Sequence, residues 1–199
     1  MKMSKRAEIA KYVKNKILYL SEVSEHISGI ELAKLRRGVD HLPGEIPAVY
    51  SFFLRDMPES FWNENGTVSK AEIACYLTLT LYAVHQQGNS PKIHNMHSTS
   101  GNRLGQALRK LALAQGDANA EERALKKLQM LVTAKDVPEF SHHLRGIIVL
   151  LRDKGITLDY FDLAKDIYDF QFDESRTIIG LKWGQDFFRK GKDNKDENR

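Results

Sequence analysis

The segment "SKAEIACYLTLTLYAVHQQ", Ser69 to Gln87, constrains the fold of this chain more than any other. Ser69 and Glu72 stand three apart at its start, the spacing at which two side chains reciprocally satisfy free N–H groups of a helix N-terminus. The centre, Tyr76-Leu77-Thr78-Leu79-Thr80-Leu81-Tyr82, alternates as a strand would. The cap and the length decide for a helix. A helix apolar around most of its circumference must be covered on most sides, so it belongs at the centre of the molecule.

The other segments supply helices to cover it. Ile9, Val13, Ile17 and Leu20 keep one face of the first helix apolar. "ELAKLRRG" reads as a short helix stopping at Gly38, a natural residue just past a helix end. Pro43 and Pro47 bracket a turn and the start of "IPAVYSFFL". Further helices are expected at about 103–115, 119–134, 138–153, 159–171 and 174–190, with Gly155 ending one and Asp159 capping the next. The fold expected is all-α, about eight to nine helices in two packed bundles with no significant sheet. The bundles would span 1–115 and 117–190 and meet near the 88–102 loop, leaving 191–199 as a disordered polar tail.

Charge distribution narrows the function. From Ile73 to Gly116 there are 44 consecutive residues without Asp or Glu, and they hold Lys92, Arg103, Arg109 and Lys110. Outside that 73–116 segment, 26 Lys and Arg face 26 Asp and Glu, so the net charge of +4 lies wholly within it. An acid-free basic segment attracts polyanions. Part of the bias is packing, since much of 73–84 is apolar and has no room for acids. With Cys75 the only cysteine, no intrachain disulfide can form. The basic N-terminus lacks an uninterrupted apolar stretch, and no window approaches the roughly 20 apolar residues of a membrane span. A soluble, cytoplasmic chain is expected.

Several residues are candidates for chemistry. His94 and His97 stand three apart, but zinc takes three or four protein ligands and no cysteine is near, so neither a metal nor a cofactor is expected. "STSGN" before the 103–115 helix lacks the Walker spacing; its N–H groups suit a backbone phosphate, and Ser100 or Asn102 equally suits an N-cap. Arg103 and Lys110 share a helix face opposite Leu104, Leu108 and Leu111. His142, Arg145 and Arg152 form a similar stripe behind Phe140, Leu144, Ile148 and Leu151, and Lys182 and Arg189 another on the last helix. Arg36 and Arg37 close their helix, where they suit either the helix dipole or bidentate phosphate contacts. Asp159, Asp162, Asp166, Asp169 and Asp173 recur at helical spacing as one carboxylate row, with Lys165 beside it. Such a row is a solvated face, a docking surface for a basic neighbour, or the Mg²⁺ site of a phosphohydrolase.

Taken in order, "LAKLRRGVDHLPGEIPAVYSFF", "LTLYAVHQ", "LGQALRKLA", "HLRGIIVLLRDKGITLDYFDLAKDIYDF" and "LKWGQDFF" resemble the CasB family, over about residues 30–190. CasB proteins are the small subunit of the type I-E CRISPR Cascade surveillance complex. The resemblance implies an all-helical, non-enzymatic protein serving antiviral defence, of which two copies pack head to tail. It further implies partners in the crRNA-bearing ribonucleoprotein, in other Cascade subunits and in target DNA, including the displaced strand of the R-loop. Sequence is read by guide pairing, so only backbone contacts are asked of such a subunit. Carried over, nucleic-acid binding falls to Arg36 and Arg37, then Arg103 and Arg109, then Arg145 and Arg152. Gly146 stands where some relatives have a second arginine. Helical facing adds Lys92, Lys110, Lys182 and Arg189, and makes Asp159, Asp162, Asp166 and Asp169 candidates for partner contact. A metal-dependent phosphohydrolase and a pure protein–protein scaffold are the alternatives.

Overall fold

The reciprocal cap forms as its spacing predicts: Ser69 Oγ accepts from the Glu72 N–H at 3.0 Å, and Glu72 Oε2 accepts from the Ser69 N–H at 2.8 Å. The computed structural model describes residues 3–88 and 102–189. Among these residues there are nine α-helices and no strand: α1 (Lys5–Glu22), α2 (Glu25–Arg37), α3 (Tyr50–Phe53), α4 (Lys70–His85), α5 (Leu104–Gln115), α6 (Ala120–Val132), α7 (Val137–Asp153), α8 (Tyr160–Phe170) and α9 (Asp173–Phe188). Short 3-10 turns at Pro47–Val49 and Glu59–Phe61 link α2 to α4.

Helix α4 is the axis. Every residue from Ala74 to His85 is buried, and α1, α2, α7 and α8 pack around it. The strand-like alternation of Thr and Leu is resolved inside the helix. Thr78 Oγ1 donates to the Ala74 carbonyl at 2.6 Å and Thr80 Oγ1 to the Tyr76 carbonyl at 2.9 Å, so neither hydroxyl is stranded in the core. Helix α8 also lies along α1, while α9 packs on α5, α6 and α8. Buried side chains from all nine helices form one continuous apolar cluster. Phe140, Phe170 and Trp183 stack within it, joining α7, α8 and α9. No helix among the described residues is long and apolar enough to cross a membrane.

Local expectations meet three corrections. Gly38 ends α2 with φ −79°, not in the left-handed conformation of a residue past a helix end. Glycine is needed there for space, because a Cβ would run into Tyr76 Oη. Asn102 is not the N-cap of α5. Arg103 takes that place, its N–H donating to Gln106 Oε1 at 3.1 Å, while the Asn102 carbonyl accepts from Asp159 N at 2.8 Å. The "IPAVYSFFL" stretch forms a 3-10 turn and a single helical turn, because Val49, Phe52 and Phe53 turn inward while Leu54 remains exposed. Asp159 and Gly155 behave as expected. The Asp159 carboxylate accepts from the N–H groups of Phe161 and Asp162, and Gly155, at φ 62°, lets the chain leave α7. The tail at 191–199 lies outside the described residues, as do Lys92, His94, His97 and Ser100.

Candidate nucleic-acid interface

The basic residues singled out in the sequence separate into two groups. The first lies on α2 and α7. Arg36, in the last turn of α2, reaches the Ala83 carbonyl at 3.5 Å, and Arg152 of α7 reaches Gln87 Oε1 at 3.4 Å. Arg152 also donates twice to Asp153, from Nε at 3.0 Å and from a terminal nitrogen at 2.9 Å. Arg145, one face up α7, pairs with Asp40 just beyond α2. Arg37 is exposed and has no ion-pair or hydrogen-bond partner for its guanidinium among the described residues. Partial burial lowers the pKa of Arg36, which still stays far above neutrality. Arg36 and Arg152 therefore border the C-terminal end of α4, within the acid-free segment, while Arg145 lies two turns back along α7 against Asp40. Leu144, Ile148 and Leu151 of α7 are buried while His142 and Arg145 are exposed, so the predicted facing of that helix holds.

The second group lies on α5 and α9, and it is occupied. Lys182 Nζ donates to Asp162 Oδ2 at 2.7 Å and to Asp166 Oδ1 at 2.6 Å, and Trp183 Nε1 donates to the other Asp166 oxygen at 2.7 Å. Arg103 lies 3.8 Å from Asp162 and 3.7 Å from Asp186, and Lys165 lies 3.4 Å from Asp162. Arg109 donates to the Phe187 carbonyl at 3.2 Å, satisfying the exposed end of α9, and Lys110 donates to Asn102 Oδ1. Arg189 is exposed just past α9.

Burial decides the electrostatics of this cluster. Asp166 is 1% exposed, and burial, reinforced by the neighbouring Asp162 charge, pushes its carboxyl up to about 6. Burial works on Asp162 in the same direction, but the Lys182 hydrogen bond and the charges of Lys182, Lys165 and Arg103 prevail and hold it below the usual range. Lys182 is raised: burial disfavours its charge, but Asp166 and Asp162 outweigh that. The remaining aspartates of the row also have partners inside the chain. Asp159 caps α8, Asp169 pairs with Arg6 Nε at 2.7 Å, and Asp173 is 3.6 Å from Arg176. A basic partner would meet this row at its rim, since Asp166 is covered by α9. Among the described residues no group of three or more His, Cys, Asp or Glu is arranged to hold a metal ion.

The structure adds residues that sequence reasoning passed over. Asp186, 1% exposed, faces Arg103, and Trp183 closes the cluster from below. The available signal is the spacing of Lys182 and Asp186, four apart around Trp183, which puts a cation and an acid on one edge of the apolar face of α9.

Together these features define the class: an all-helical protein with an axial buried helix, arginines bordering its end, and three carboxylates held inside. The sequence profile of the family described as CRISPR-associated protein Cse2 matches residues 31–188. The chain belongs to the Cse2 family of CRISPR-associated proteins, the family also called CasB. It is similar to the crystal structure of CasB from Thermobifida fusca, with TM-score 0.68 and 27% identity over 92% of this chain and 98% of that one. Its fold is also that of a Cse2-family CRISPR-associated protein from Thermus thermophilus, with TM-score 0.66, 21% identity, and 90% and 97% of the two chains covered. A search of curated proteins returns no significant match.

Proposed function

We propose that this chain is a non-catalytic, nucleic-acid-binding small subunit of a type I-E Cascade effector complex, stabilising crRNA-guided capture of target DNA and the R-loop. Membership of the Cse2 family supports the CRISPR role. The observation that carries the nucleic-acid reading is the meeting of Arg36 and Arg152 at the end of α4, with Arg37 exposed in the same last turn of α2 and Arg145 exposed on the same helix as Arg152. Guanidinium groups there meet phosphate with paired donors, and affinity arises from counterion release without reading sequence. Lys92 and the acid-free segment add positive charge in sequence to the same reading. Arg103, Arg109, Lys110, Lys182 and Arg189 form a second basic side, where Arg189 is the residue best placed for phosphate and Lys182 serves the ion cluster. Other Cascade subunits, and a second copy head to tail, are the protein partners this role requires.

The test is a target-duplex titration with effector complexes assembled from wild-type protein and from a variant carrying Arg37→Ala, Arg145→Ala and Arg152→Ala. The variant should enter the complex, bind target DNA more weakly, and flatten the dependence of log affinity on log salt by about one per lost phosphate contact. Unchanged affinity and slope would leave the protein a scaffold.

A further inference from the structure

A second surface, away from the arginine border, has the composition of a stacking site. The first turns of α1 and α4, the 59–63 turn and the α8–α9 joint enclose an open groove of about 450 Å³, lined by Lys5, Trp62, Asn63, Lys70, Tyr168 and Phe172 among others. Among the described residues no carboxylate lines it. Trp62 is 48% exposed, so about half of its indole is open to a partner. Tyr168 and Phe172 meet edge to face at 5.2 Å, and Lys70 Nζ sits 3.8 Å above the Phe172 ring. Lys70 donates to the Gln171 carbonyl at 2.7 Å and has no carboxylate partner among the described residues, whereas Lys5 shares its charge with Glu8 at 3.3 Å. Ser69 and Glu72 satisfy each other, so the N–H groups of Lys70 and Ala71 remain without a hydrogen-bond partner where α4 opens onto the groove.

We propose that this groove binds a short stretch of single-stranded nucleic acid, with bases stacked on Trp62 and phosphates held by Lys70, Lys5 and the first N–H groups of α4. The inference rests on the reading of the chain as a nucleic-acid-binding subunit and adds to it a site that accepts only unpaired bases. Aromatic faces alone would suit many apolar partners. An open indole face beside two lysines, with no lining carboxylate among the described residues, matches the stacked bases and spaced phosphates of a single strand. Every base has a π-face, so the site is indifferent to sequence. A duplex keeps its bases inside and offers nothing to stack.

The chain has two tryptophans, and Trp183 is fully buried, so exposed-tryptophan fluorescence reports Trp62. Short oligothymidine added to the full chain should quench that fluorescence, and a duplex of equal length should not. Trp62→Ala should weaken binding of labelled oligothymidine at least about fivefold by anisotropy, with Trp62→Phe recovering most of it. Lys70→Gln should weaken binding and reduce its salt dependence. Both side chains are surface-exposed, and circular dichroism checks that the variants fold. Absence of quenching, equal quenching by heparin, which has no bases, or wild-type affinity in Trp62→Ala would each overturn the proposal. The Arg37/Arg145/Arg152 alanine variant keeps the two ideas apart. If it loses target duplex while oligothymidine leaves Trp62 unquenched, the arginine border stands and the groove falls. If Trp62 is quenched while that variant binds duplex normally, the groove stands alone.

Discussion

The α8–α9 contact and the α2–α7 border carry the same kind of sequence, charged residues repeating every three or four positions, and put it to opposite use. Between α8 and α9 the charges face another helix. Asp162, Asp166 and Asp186 are removed from water and kept tolerable by Lys182, Arg103 and a tryptophan N–H. At the border the arginines lie at the surface, Arg37 and Arg145 exposed and Arg36 and Arg152 partly so, and the carboxylate partners, Asp40 and Asp153, are themselves about half exposed. Buried ions must be matched atom by atom, because an unmatched one costs several kcal/mol. Exposed ions need no match, which leaves their donors available to an incoming phosphate. The same residue types therefore hold the protein together in one place and remain free to bind in the other.

The strongest way to break this comparison is Asp166→Ala. It leaves Lys182 half-buried without its closest acceptor and Trp183 Nε1 without any, and should cost about 3–5 kcal/mol in urea unfolding. Replacing Asp166 and Lys182 together by Leu and Met should recover much of that loss; no recovery would mean the pair acts through more than charge matching.

Next in size is pH. Burial, only partly offset by a backbone hydrogen bond near Ile156, lowers the pKa of His85 to about 4. The folded state thus keeps His85 neutral where the unfolded chain protonates it near 6.5. Its contribution is whole above pH 6.5 and is lost as pH falls toward 4, by about 3 kcal/mol. Asp166, raised to about 6, works in the other direction, losing stability as pH rises through 6. The difference in unfolding free energy between wild type and His85→Gln removes that shared term, and it should shrink steadily between pH 7 and 4.

Gly105→Ala is smaller. An added Cβ would strike the Trp183 carbonyl and lie 2.8 Å from Phe187 N, forcing α5 off α9 at a cost of about 1–3 kcal/mol. Gly146 on exposed α7 has nothing within 4 Å of a built Cβ, so Gly146→Ala should stabilise by about 0.5–1 kcal/mol through helix propensity. The smallest stability effect belongs to the border. Arg145→Ala should shift unfolding by less than about 1 kcal/mol, while Asp166→Ala, at the buried pair, shifts it most.

Much of the helical frame was legible. The Ser69–Glu72 box, the Asp159 cap and the exit at Gly155 rest on contacts within four residues of each other, and the buried face of α7 on a side-chain period of the same length, so each was read from spacing. Helix α2 begins earlier than "ELAKLRRG" suggests, capped by Ser24, whose hydroxyl accepts from Ile27 N. The candidate interface was legible in part. Arg36, Arg37, Arg145 and Arg152 were each identified, but nothing local says that α2 and α7 bring Arg36 and Arg152 to one end of α4 or Arg145 to Asp40. The aspartate row was read as a surface because aspartates at helical spacing usually are one. What turns Asp162 and Asp166 inward is Lys182 and Trp183, 16 to 20 residues away. Trp62 and Lys70 passed unremarked because their groove is completed by Tyr168 and Phe172, about a hundred positions further along.

By itself, then, the sequence determined where helices begin and end, which helix is central, and which faces are apolar, because these depend on hydrogen bonds and side-chain periods that close within a turn or two. Only the tertiary structure decided which charged faces meet water and which meet one another. A polar stripe has no intrinsic direction, and its fate is set by whatever the chain lays across from it.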